Sequence, residues 1–163
     1  MKRYVAEEGT DQVKRLLRVG PAATCRLSEA EISAALARRC REGSLGDADR
    51  AAALGRLRDD LLRFQVVELG PPVVSRVHAL LDRHPLRTGA VLQLAAVMAL
   101  REGAGIVVEF VGFDDRLNAA ARSEGFIRCR PDLEETIRRV KAFVAAGADC
   151  IYTPGIKTRE QIE

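Results

Sequence analysis

The chain has 163 residues, enough for one domain or for two small ones, and its 47% hydrophobic residues can bury a core without disulfide or metal staples. Charged residues make up 30% and the net charge is +3, a mixed surface that permits nucleic-acid binding without arguing for it, while 4% aromatics and no Trp argue against a base-stacking platform. No apolar stretch reaches the ~18 residues that cross a bilayer, the N-terminus lacks a signal-peptide core, and Cys25, Cys40, Cys129 and Cys150 show neither CxxC spacing nor partnered histidines, so the expectation is a soluble, cytoplasmic protein with reduced thiols, no structural zinc and no membrane partner.

Helical periodicity dominates the chain. In "GTDQVKRLLRVG", Val13, Leu16 and Leu17 share a face, Thr10 or Asp11 serves as cap, and Gly20-Pro21 is the stop. After a short "AATC", given no element, comes "LSEAEISAALARRCREG", where Ile32, Ala35, Leu36 and Cys40 recur at helical spacing and the Ser28/Glu31 pair has the spacing of a capping box. The third helix, "LGDADRAAALGRLRDDLLRF", is capped by Asp47 and turns Leu54, Leu57, Leu61 and Leu62 inward. "QVVEL" reads as a strand, broken by Gly70-Pro71-Pro72 before the helix "VVSRVHALLDRH", which Pro85 closes. "TGAVLQLAAVMALREGAG" is apolar nearly all round and is expected to be the most buried helix.

The stretch from Gly105 to Leu117 then sets the run Ile106, Val107, Val108, Phe110, Val111 against two adjacent acids. The run reads as a strand buried on both faces, as in a parallel sheet, with Asp114 and Asp115 just beyond its carboxyl end. Open α/β sheets place ligand sites there. A helix, "RLNAAARSEG", also begins there, and Asp is a preferred N-cap, so cap and metal ligand are both open readings. A strand-like "FIRC", a long amphipathic helix from about 132 to 146, the strand-like "CIYT" and the start of another helix complete the chain. Strands alternating with helices predict an α/β fold with a mostly parallel sheet. His78 and His84 fall on different helix faces, which reads as solvated or core-edge histidines. The run Arg38, Arg39, Arg41 reads as a solvated face or as contacts that track a phosphate backbone.

Four blocks in order, "KRYVAEEGTDQV", "LSEAEISAALARR", "HALLDRHPLRTGAVLQLAAVMALREG" and "FVGFDDRLNAAARSEGF", resemble a PIN-domain protein of the VapC toxin type over residues 1–126. The resemblance implies a PIN-like three-layer fold and a metal-dependent endoribonuclease, the toxin of a toxin–antitoxin pair. Its implied partners are an RNA substrate, a cognate antitoxin peptide and a second copy in a homodimer. Hard divalent cations, Mg²⁺ or Mn²⁺, held by carboxylates would activate water against a phosphodiester. On the matching positions, Glu31 and Asp114 would be metal ligands and catalytic acids, with Asp115 as helper; Arg38, Arg87 and Arg116 are the candidate substrate contacts. Two family aspartates have no counterpart: the first strand that carries one is missing, and Ala90 stands where another is expected. Gly112 likewise replaces a small hydroxyl residue. The acidic set is thus incomplete, which implies impaired activity. The alternatives are a non-catalytic scaffold that binds an antitoxin or itself, and a chimeric or truncated product with no settled function.

From "ARSEGF" onward, residues 120–163 are similar instead to a piece of the isocitrate lyase and phosphoenolpyruvate mutase superfamily of (βα)₈ barrels. So short a piece cannot close a barrel, and no barrel function is carried over. Arg122, Ser123 and Glu124 are assigned to the PIN-like helix. The expected organisation is a PIN-like unit at 1–126 lacking its N-terminal strand, followed at 127–163 by an extra helix-strand-helix tail. The missing strand is central in that family, so its loss would leave both neighbours unpaired. One expectation is that the tail helix crosses back and delivers Cys150–Thr153 to the sheet; the other is a flexible appendage.

Overall fold

A computed structural model of the chain describes residues 3–5, 10–18, 20–105, 108–112, 114–126 and 150–152, with backbone only at 12, 16 and 150–152. In chain order the elements are α1 (Thr10–Leu16), β1 (Ala22–Cys25), α2 (Leu27–Arg41), α3 (Asp47–Leu61), β2 (Gln65–Val67), α4 (Pro71–Arg83), α5 (Thr88–Ala104), β3 (Val108–Phe110), α6 (Asp115–Ser123) and β4 (Cys150–Tyr152). The architecture is mixed α/β, mostly helical around a small parallel sheet.

The sheet runs β2-β1-β4-β3. β1 pairs with β2 in the register Ala23↔Gln65, Thr24↔Val66, Cys25↔Val67, and with β4 through Ala22↔Ile151 and Ala23↔Tyr152. β4 meets β3 at Val108↔Cys150, Glu109↔Ile151 and Phe110↔Tyr152. Every pairing is parallel, so each successive strand returns through a helical crossover. The tail thus supplies a strand between β1 and β3. The expectation that it delivers Cys150–Thr153 to the sheet holds for Cys150–Tyr152; Thr153 and the helix at 132–146 lie outside the described residues, as do Ile106 and Val107 of the predicted strand.

"AATC", to which the sequence pattern assigns no element, is the strand β1. All four of its residues are buried, which small side chains allow when strands lie on both sides. α5 packs on the sheet as the apolar pattern predicts: Val91, Leu94, Ala95 and Val97 are fully buried against Ala23 and Cys25 of β1, Phe110 of β3, Val73 and Leu80 of α4, and Leu117 and Ala121 of α6. Gly105 ends α5 at φ +64°, a left-handed cap that a side chain would strain. α4 starts with prolines at its first two positions, where no intrahelical N–H is needed, and stops at His84 before Pro85. A second cluster joins Ile32 and Leu36 of α2 to Ala53 and Leu57 of α3 and to Tyr4. Arg3 holds that N-terminal segment down by a two-pronged ion pair with buried Asp60, Nε to Oδ2 at 2.8 Å and Nη2 to Oδ1 at 2.9 Å.

Two expected caps are corrected. α2 begins at Leu27 with Arg26 as N-cap and no side-chain cap bond, so the Ser28/Glu31 pair lies inside the first turns and not in a capping box. Gly46 is the N-cap of α3, and Asp47 is its first helical residue. The charge of Asp47 still lies at the positive end of the helix dipole.

Candidate functional site

A parallel sheet sends all its strands out at one edge, and the loops beyond that edge form the natural place for a site. β1 leaves through Arg26 into α2; β3 leaves through residues 111–114 into α6. Glu31, one turn into α2, and Asp114, the N-cap of α6, therefore stand at the same edge. Their parent strands are separated only by β4, which at a strand spacing of ~4.8 Å puts β1 and β3 about 10 Å apart.

Glu31 is half-buried and held from below. The side-chain amide Nε2 of Gln93, on α5, donates to Glu31 Oε2 at 3.3 Å and to Ser28 Oγ at 3.1 Å, and Thr24 Oγ1 donates to Ser28 Oγ at 2.8 Å. Gln93, Ser28 and Thr24 are buried. The other Glu31 oxygen rests over Gly89: a Cβ on that glycine would fall 2.7 Å from Oε1. Gln93 is the one polar residue between Ala90 and Leu100, and that break in an apolar run is the signal that sequence reasoning passed over.

Asp114 performs the capping role foreseen for it, Oδ1 accepting from the Leu117 N–H at 2.9 Å. A carboxylate has lone pairs to spare, so this bond leaves Asp114 able to accept another partner. Asp115, the first helical residue, is exposed. Gly112 packs against Asn118, whose Nδ2 donates to the Gly112 carbonyl at 3.2 Å and whose Oδ1 lies 2.5 Å from where a Gly112 Cβ would be. A side chain at position 112 would therefore have to displace the buried Asn118 amide. Ala90 is buried in the core in the first turn of α5.

Of the candidate arginines, Arg87 is the N-cap of α5 beside Gly89, and Arg116 lies in the first turn of α6. Both are exposed and neither has an ion-pair partner among the described residues. Arg38 is not brought to this edge: it stands about 10 Å farther along α2 than Glu31, at 1.5 Å per residue, facing Glu42 at 3.8 Å. Arg26 braces the edge instead, donating to Glu29 at 2.9 Å and to Glu68 just past β2; its hydrogen bond holds the Glu68 carboxyl below its usual range.

The two histidines lie elsewhere. His78 is exposed beside Asp82. His84 Nε2 is 2.7 Å from Glu124 Oε1, which also accepts from Arg83 Nε at 3.0 Å and Nη2 at 2.8 Å. Burial is the largest single influence on the Glu124 carboxyl and pushes it up, but the hydrogen bonds and charges of His84 and Arg83 together hold it below the usual carboxylate range.

Among the described residues, no group of three or more His, Cys, Asp or Glu side chains comes together as a metal cluster. The oxygen donors of Glu31 and Asp114 suit a hard cation, and Mg²⁺ that keeps several waters needs only one or two carboxylates when substrate phosphates complete its shell. By donor chemistry alone, two carboxylates are enough for one such ion and too few for a two-metal arrangement. No described helix is long and apolar enough to cross a membrane.

Residues 114–163, less than a third of the chain, match the model of the phosphoenolpyruvate phosphomutase family. The match takes in α6 and β4. No curated protein matches the chain.

Proposed function

We propose that the chain is a PIN-like scaffold of the VapC type with a reduced acidic site, acting on RNA as a weak endoribonuclease that depends on Mg²⁺ or Mn²⁺. What carries this reading is the parallel order β2-β1-β4-β3, with Glu31 and Asp114 past the ends of β1 and β3 on a shared edge. Glu31 and Asp114 hold the ion. Asp115, exposed next to Asp114, positions water, and Arg87 and Arg116 take the phosphates. When bound, the ion polarises a phosphoryl oxygen and lowers the pKa of its water. The tail is read as a segment of separate descent; its family match is too short to assign any chemistry on small carboxylates. Titration with Mn²⁺, followed by cleavage of labelled RNA, tests the site: binding at millimolar levels that both Glu31→Gln and Asp114→Asn weaken is expected. Absence of binding and cleavage in the unaltered chain would refute the enzyme reading.

A second reading, a non-catalytic scaffold that pairs with itself or with an antitoxin peptide, is favoured by α4. Val74 and Leu81 lie two turns apart on one face and are 53% and 44% exposed. Sedimentation equilibrium distinguishes it: a dimer that Val74→Glu dissociates is its expected result.

A further inference from the structure

A polar cluster lies beneath Glu31, and a buried amide there must find partners for its polar atoms, a demand that an apolar residue would not make. Gln93 is 3% exposed in the most apolar of the described helices, and its Nε2 spans Ser28 Oγ at 3.1 Å and Glu31 Oε2 at 3.3 Å. Ser28 is in turn fixed by Thr24 of β1 at 2.8 Å, so the carboxylate is referred back to the sheet. On its other side the carboxylate occupies space that only the absence of a side chain on Gly89 provides. We infer that Gln93 and the bare face of Gly89 form a seat that fixes the Glu31 carboxylate for the divalent cation, which makes Gln93 a positioning residue. This rests on the metal-site reading above. A ligand hydrogen-bonded from behind offers a fixed oxygen to the ion, and loss of such a partner typically weakens metal binding about 10- to 100-fold.

Gly89 supplies the sharper test. It lies within α5 at helical φ, so Gly89→Ala should hold or raise thermal stability, because alanine loses less backbone freedom on folding. Yet its Cβ would displace the end of the Glu31 side chain. The experiment measures Mn²⁺ affinity by electron paramagnetic resonance and melting temperature without metal, for the full chain, Gly89→Ala and Gln93→Met. Side-chain amide spectra of Gln93 are recorded in the metal-free chain and in Glu31→Ala. The expected result is an affinity loss of about 10- to 100-fold in both variants, with no fall in melting temperature for Gly89→Ala, and a shifted Gln93 amide signal in Glu31→Ala. Unchanged affinity in either variant, or an indifferent Gln93 signal, overturns the inference. Should the unaltered chain bind no Mn²⁺ while the Gln93 signal still responds to Glu31→Ala, the metal reading and the positioning role both fall, and the seat remains as a structural clasp.

Discussion

Replacing Ile151 by proline tests the placement of the tail strand through the backbone alone. Ile151 is the middle residue of β4 and is registered with Ala22 on one side and Glu109 on the other. Proline there removes one ladder N–H and leaves a carbonyl of a neighbouring strand without its donor, at a cost of about 1–3 kcal/mol. The ring also clashes in a central strand, which adds roughly 3 kcal/mol by analogy with helix interiors. The sum, about 4–6 kcal/mol, is comparable to the whole stability of a marginal domain. Urea unfolding of Ile151→Pro, with Ile151→Val as a control expected to cost under about 1.5 kcal/mol, measures it. Slow hydrogen exchange at the Ile151 and Tyr152 amides of the unaltered chain should accompany the loss. If the proline variant unfolds at the same urea concentration as its parent, β4 does not belong to the sheet.

Three further outcomes follow from the same geometry. Asp114→Ala should lose about 1 kcal/mol with the N-cap of α6, whereas Asp114→Asn keeps the cap acceptor and should lose little stability but weaken Mn²⁺ binding, which calorimetry of both variants resolves. Because Glu124 has a lowered pKa in the fold, its contribution is fully present above the ordinary glutamate value and disappears as pH falls through the lowered one. Glu124→Gln should therefore cost about 1.5–3 kcal/mol near neutrality and flatten the acid limb of a stability-against-pH curve. Leu94→Ala, at the fully buried centre of α5, should cost about 2–5 kcal/mol in denaturant unfolding.

Helices were legible where a local signal decided them. Gly70-Pro71-Pro72 and Pro85 bracket α4, and the apolar run of α5, polar only at Gln93 between Ala90 and Leu100, announces its burial. β1 was not legible, because four small residues carry no period and become a strand only through partners at 65–67 and 150–152. The Ser28/Glu31 spacing misled for a similar reason: Ser28 is claimed by Thr24 and Gln93, and Gln93 lies 65 residues away from it. The cap at Asp114 was local and readable. That Glu31 and Asp114 share an edge depends on strand order, which no window of sequence contains.

The position of β4 also fixes a sequence of events. A ribosome delivers β1, β2 and β3 first, and β4 only about 40 residues after β3, roughly 2–8 s later at 5–20 residues per second. During that interval the nascent chain holds two strands whose facing edges are open in the middle of what will become one sheet. Unpaired edges of this kind recruit other strands. The growing polypeptide is thus most exposed to chaperones, and to mispairing with neighbours on the same messenger, just before β4 arrives.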